Sequence, residues 1–122
     1  MAPTHPRVRI LIVEDEMMIA LLIEDALDEL GYAVVGPVSK LDAAITLARD
    51  ETFSAAILDV NIRGGNTFPV ATILRERGIP FVLASGYGAW ALPDAFKGHP
   101  LLQKPFTASD VEKAIGAMLT EG

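Results

Sequence analysis

The stretch Ala55-Ala56-Ile57-Leu58-Asp59-Val60-Asn61 constrains this chain more than any other. Four apolar residues end abruptly in a carboxylate, and a glycine-bearing loop, Ile62-Arg63-Gly64-Gly65, follows. A short continuous apolar run has no polar face to offer water, so it reads as a strand covered on both sides, as in a parallel sheet. Asp59 then falls at the carboxyl end of that strand, where open α/β sheets gather their ligands. Taken alone, an Asp there suits a turn or a helix cap equally well. What decides is how many other polar residues occupy equivalent places.

Four further segments behave alike. Val8 to Val13 is β-branched and apolar and is broken by Glu14-Asp15-Glu16. Ile19, Leu22, Ile23, Ala26, Leu27 and Leu30 then recur at helical spacing, and Gly31 ends that helix. Ala33 to Val38 reads as a second strand, at an edge because Pro37 has no N–H for a ladder. Ser39 is placed to cap a helix from about Leu41 to Asp50, and the Asp59 strand is the third. Asn66 or Thr67 caps a helix through Val70, Ile73 and Leu74, closed by Gly78. Pro80 to Ala84 is a fourth strand, ending at Ser85-Gly86-Tyr87-Gly88. Ala89 to Pro100 contains Pro93, Gly98 and Pro100, so a helix there is short or distorted. Leu101 to Gln103 is a brief fifth strand before Lys104-Pro105-Phe106. A last helix carries Val111, Ala114, Ile115, Met118 and Leu119, and Ser109 with Glu112 has the spacing of a capping box at its start. Strands alternating with helices through short links define an α/β fold: a parallel five-stranded sheet with helices on both faces. The expected organisation is a flexible N-terminus, residues 1–7, and one domain, residues 8–120.

Composition narrows the function. The 122 residues suit one domain, and the net charge of −6 argues against direct contact with nucleic acid, which needs a basic face. No apolar run approaches the roughly 18 residues of a membrane span. Met1 to Arg9 lacks the apolar core of a signal peptide. The absence of Cys removes disulfides and thiolate metal sites and suits a cytoplasmic location. His5 and His99 have no metal-ligand spacing and read as incidental.

In a parallel sheet the strand ends share one edge, so Glu14 and Asp15, Asp59, Ser85 and Lys104 can converge. Clustered carboxylates raise one another's pKa unless a cation relieves them. Mg²⁺, which takes oxygen ligands and keeps several waters, suits such a cluster. A Lys supplies a compact charge for a phosphoryl oxygen, and the Ser85 hydroxyl can donate to the same group. Asp59 then qualifies as a nucleophile, since a carboxylate can form an aspartyl-phosphate. Each residue alone also suits a turn, a helix first turn or the surface; the conjunction in chain order is the specific signal.

Val13-Glu14-Asp15-Glu16, Leu58-Asp59-Val60-Asn61, Ala84-Ser85-Gly86 and Lys104-Pro105-Phe106 together resemble the receiver domain of two-component response regulators, over nearly the whole chain. The resemblance implies a doubly wound, flavodoxin-like sheet of order 2-1-3-4-5. It implies that Asp59 accepts a phosphoryl group from a histidine kinase or phosphotransfer protein and thereby changes contacts with a downstream protein partner. It implies Mg²⁺ held by Asp15, Asp59 and the backbone carbonyl of Asn61, with Glu14 acting through water. Lys104 would contact the phosphoryl group and Ser85 move toward it, and the signalling face would be the fourth-helix region, the fifth strand and the last helix. The module is a phosphoacceptor, not a classical enzyme; a homodimer is open. So is the choice between a free-standing regulator and part of a longer regulator or hybrid kinase.

Two departures stand out. Leu102 occupies the place of the aromatic switch residue of many receivers, and Ile62-Arg63 replaces the usual Met-Pro. Pro80 to Tyr87 is similar to an alphaproteobacterial subgroup whose motif runs Phe-Ala-Thr-Gly and then Tyr, with a reduced fourth helix. Tyr87 and Trp90 therefore become the switch candidates, Trp90 being divided between packing under its loop and facing a partner. Two enzyme-like alternatives fare worse. A dehalogenase-like phosphatase would need an Asp at position 61, where Asn61 stands. A dinucleotide-binding module would need a Gly-rich turn where Glu14-Asp15-Glu16 stands.

Overall fold

Each of the five apolar runs becomes a strand. In the computed structural model of the protein, which describes residues 8–120, these are β1 (Arg9–Val13), β2 (Ala33–Val38), β3 (Ala55–Asp59), β4 (Phe81–Ser85) and β5 (Leu101–Gln103). Numbered so, they form one parallel sheet of order β2-β1-β3-β4-β5, the doubly wound arrangement that the sequence implies. The intervening helices are α1 (Met17–Glu29), α2 (Leu41–Asp50), α3 (Phe68–Arg77) and α4 (Ala108–Thr120). The expected flexible segment 1–7 lies outside the described residues.

Strand alternation sorts the core into two layers. Ile10, Ile12, Ala55, Ile57, Val82, Ala84 and Leu102 pack with Ile23, Leu27, Val111 and Ile115 of α1 and α4. Leu11, Val13, Ala56, Leu58, Phe81 and Leu83 face Ala44, Ala48, Val70 and Leu74 of α2 and α3. All five residues of β3 are buried. Each buried Leu, Ile or Val contributes about 1.5–3 kcal/mol, so these layers outweigh any single loop contact and fix where the strands end.

Pro37 does lie on an edge strand. Beside it, Gly36 has φ +97°, and the β1–β2 register shifts between Leu11 and Val13. A Cβ at Gly36 would meet the Ile12 carbonyl oxygen and the Val38 nitrogen at 2.8 Å each. Only glycine fits there, and the resulting bulge lets the Val38 carbonyl accept the Glu14 N–H at 3.0 Å. The edge strand thus steadies the residue that begins the acidic run.

Helix starts differ in detail from expectation. The cap of α2 is Lys40, not Ser39, because the Arg63 carbonyl accepts the Leu41 N–H at 3.0 Å. At α4 the reciprocal pair is Thr107 and Asp110: Thr107 N–H donates to Asp110 Oδ2 at 2.9 Å, and Asp110 N–H to Thr107 Oγ1 at 3.2 Å. The capping box therefore sits two residues before the Ser109–Glu112 pair. At α3 the Asn66 side chain takes the Phe68 N–H at 3.2 Å, and Gly78 closes the helix in the left-handed region, φ +73°.

Between β4 and β5 the chain makes two single 3₁₀ turns, Ala89–Ala91 and Asp94–Phe96. Pro93, Gly98 and Pro100 leave no room for a regular helix. Buried Leu92 and Phe96 cover the sheet instead, Phe96 stacking on Phe68 with centroids 5.1 Å apart and the Arg75 guanidinium 4.4 Å over its ring. His99 is not incidental. Its ring stacks on Phe81 at 4.1 Å, and its Nε2 lies 2.6 Å from the Phe81 carbonyl oxygen. Burial pulls its pKa down, so the neutral, Nε2-protonated ring is the form that pins this segment to β4.

Candidate functional site

Carried past the strand ends, the alternation that sends Ile12, Ile57 and Leu102 toward α1 and α4 also sends Glu14, Asp59 and Lys104 there. The three side chains meet. Lys104 Nζ lies 3.2 Å from Asp59 Oδ2, 3.5 Å from Glu14 Oε1 and 3.5 Å from Glu16 Oε1. Carboxylate oxygens of Glu14, Asp15 and Asp59 lie within 4.8 Å of one another. Glu14 and Asp59 are buried, and the Lys104 side chain is 17% exposed.

The local chain dictates this grouping. Glu14 Oε2 accepts the Glu16 N–H at 3.1 Å, turning the first carboxylate back over the start of α1. Its other oxygen, Oε1, is buried without a hydrogen-bond partner. Burial pushes the Glu14 carboxyl from its ordinary 4.5 up to about 7, and the neighbouring Asp59 adds to the rise. For Lys104 burial works against the charge, yet Asp59, Glu14 and Glu16 outweigh it and raise its pKa. Glu16 was not singled out from sequence, and only its proximity to Lys104 reveals it.

Ser85 has the other strand parity. It is buried, its carbonyl accepts the Lys104 N–H at 2.8 Å, and its Oγ accepts the Tyr87 N–H at 3.0 Å. Among the described residues it makes no hydrogen bond to the acidic cluster. Asn61 opens a short antiparallel ribbon, Asn61–Ile62 with Gly65–Asn66, folded over the start of α2 through Arg63. The loop expected around Gly64-Gly65 is therefore a tight hairpin. Thr67, read from sequence only as a cap, is fully buried and donates from Oγ1 to the Asp59 carbonyl at 2.7 Å. Leu102 is buried against the α1/α4 layer, so no aromatic ring lies at that position to swing. Tyr87 and Trp90 are 60% and 77% exposed, with ring centroids 6.4 Å apart and edge to face. Trp90 does not pack under its loop.

Such an arrangement places a carboxylate cluster and one ammonium at the carboxyl edge of a doubly wound, flavodoxin-like sheet. Comparison gives the family. The response regulator receiver domain model matches residues 10–116, and the chain belongs to that family. The transcriptional regulatory protein TctD of Salmonella typhimurium is 33% identical over 118 residues, covering 91% of this chain and 51% of TctD. The chain therefore spans about half the length of that relative. The solution structure of SdrG from Sphingomonas melonis Fr1 superposes with a TM-score of 0.81 at 46% identity, covering 93% of this chain and 97% of SdrG. The BeF₃-activated conformation of SdrG from Pseudomonas melonis Fr1 gives a TM-score of 0.76 at 46% identity, over 91% of this chain and 95% of that one. Receiver domains are signalling modules that generally use Mg²⁺ at an acidic site and engage histidine kinases or phosphotransfer proteins. No helix among the described residues is long and apolar enough to cross a membrane.

Proposed function

We propose that Asp59 is the phosphoacceptor of a two-component system, working in the cytoplasm and fed by a histidine kinase or phosphotransfer protein. The observation that carries this is Lys104 Nζ at 3.2 Å from Asp59 Oδ2, beside buried Glu14 and half-buried Asp15. An Asp59 carboxylate oxygen attacks phosphorus; the new O–P bond forms as the N–P bond of the donor phosphohistidine breaks, and that electron pair stays on the imidazole nitrogen. Lys104 exchanges a carboxylate oxygen for a phosphoryl oxygen.

The donor set fits Mg²⁺: oxygen ligands only, three carboxylates together, and one buried oxygen, Glu14 Oε1, that makes no hydrogen bond and has only the Lys104 ammonium, 3.5 Å away, against its charge. Asp15, Asp59 and the Asn61 carbonyl would hold the ion, with Glu14 acting through water. When bound, the ion supplies positive charge against the phosphoryl oxygens in the transition state.

Ser85 is proposed to turn its hydroxyl to the phosphoryl group and so release the Tyr87 N–H it now accepts. Tyr87 and Trp90 would pass that change to a downstream partner across the 3₁₀ turns, β5 and α4. The BeF₃-activated conformation known for SdrG supports a response of this kind. Incubation with Mg²⁺ and acetyl phosphate, followed by intact mass, tests the reading. One added phosphoryl group, dependent on Mg²⁺ and absent in Asp59→Asn, is expected. An adduct retained by Asp59→Asn, or none with either acetyl phosphate or a kinase, would overturn it.

A further inference from the structure

The carbonyl of Asp59 lies where β3 runs out, and the chain then leaves as the Asn61–Asn66 hairpin. A hairpin of two pairs, with glycines at φ +101° and +136° at its tip, has little rigidity of its own. Its neck is closed by one side chain. Thr67 Oγ1 donates to the Asp59 carbonyl at 2.7 Å, and the Thr67 N–H donates to the Val60 carbonyl at 2.9 Å. Val60 N–H in turn donates to the Ala84 carbonyl at 2.9 Å, so the clamp is anchored in the sheet. Thr67 is fully buried, and water cannot substitute for its hydroxyl. The residues held at this neck, Asp59 to Asn61, are the ones that the proposed function asks to present a carboxylate and a backbone carbonyl to the same ion.

We infer that Thr67 is a positioning residue for the cation site: its hydroxyl, by closing the hairpin neck on the Asp59 carbonyl, sets the Asn61 carbonyl relative to the Asp59 carboxylate. It touches neither ion nor phosphoryl group. Groups that orient metal ligands at one remove typically govern affinity about tenfold to a hundredfold. The inference rests on the reading of Asp59 and Asn61 as cation ligands, and the test separates the two.

Mg²⁺ alone is titrated into the whole chain, followed by calorimetry, in wild type, Thr67→Val and Thr67→Ser. Val keeps the shape and removes the hydroxyl; Ser keeps the hydroxyl. Thr67→Val is expected to weaken Mg²⁺ about tenfold, the low end of that range, while Thr67→Ser stays near wild type. Ile115→Val in the far core, destabilising without touching the clamp, is expected to leave Mg²⁺ affinity unchanged. Equal affinities in Thr67→Val and wild type, or a loss in Thr67→Ser or in Ile115→Val as large as that in Thr67→Val, overturn the inference while the cation reading stands. Wild type that binds no Mg²⁺ overturns both. Should Thr67→Val fail to fold, amide exchange in wild type decides by reciprocity: Mg²⁺ must slow exchange of the Thr67 amide, and an unchanged rate refutes the coupling.

Discussion

Glu14 gives the sharpest handle on the electrostatics of this site. Without a cation its carboxyl titrates near 7 instead of 4.5, chiefly because it is buried and secondarily because Asp59 stands beside it. A folded-state pKa raised above the unfolded value means that the folded protein holds a proton the unfolded chain has lost. Stability is then complete below about pH 4.5 and falls as pH rises through about 7. The full displacement corresponds to about 3 kcal/mol, most of which is lost between pH 5 and 8. Glu14→Gln has the same shape, still accepts the Glu16 N–H, and cannot ionise. Without Mg²⁺ the melting temperature of Glu14→Gln should therefore rise relative to wild type as pH increases. At about 4 °C per kcal/mol for a domain of this size, the gap should widen by about 10 °C between pH 5 and 8. Differential scanning calorimetry in EDTA at both pH values measures it, and saturating Mg²⁺ should close it by favouring the ionised wild type. A gap of the same size at pH 5 and pH 8 would refute the reasoning, because it would mean that the carboxyl is not displaced.

Gly36→Ala forces a Cβ to within 2.8 Å of two backbone atoms at φ +97°, and should cost at least about 2 kcal/mol in urea unfolding. A loss below about 0.5 kcal/mol would show that the bulge can relax. Ser85→Ala removes the acceptor of the Tyr87 N–H, and Trp90, the sole tryptophan, reports on that loop. Beryllofluoride with Mg²⁺ should change Trp90 emission in wild type and change it far less in Ser85→Ala. Equal changes in both would place the switch elsewhere.

How much was legible in advance follows from the range of each interaction. The five strands and their polar ends were readable because continuous apolar runs admit few alternatives, and Pro37 marked the edge by what it cannot donate. The irregular fourth connection was readable from Pro93, Gly98 and Pro100. Ser39 lost its expected cap to the Arg63 carbonyl, which reaches Leu41 only once the hairpin is folded. Thr107 preceded Ser109 as a cap because two candidate spacings lay almost on top of each other, and the path out of β5 decided between them. His99 and Thr67 were undervalued for one reason: each makes its defining bond to a backbone carbonyl, Phe81 in one case and Asp59 in the other. A carbonyl leaves no mark in sequence, since every residue carries one.

The same physics explains why this site cannot rest as it is. Lys104 faces Glu14, Glu16 and Asp59, and Asp15 completes the carboxylate group. One ammonium cannot balance those charges, and burial of Glu14 and Asp59 weakens the help that water can give. Two remedies are open to the cluster: a proton, which the raised Glu14 pKa favours, or a divalent cation. They are alternatives, because the oxygen that takes a proton no longer offers a full charge to an ion. Mg²⁺ affinity must therefore weaken as pH falls through about 7, and each ion bound must displace part of a proton. The acid that makes the metal-free fold less stable at neutral pH is thus the one whose relief favours loading the site.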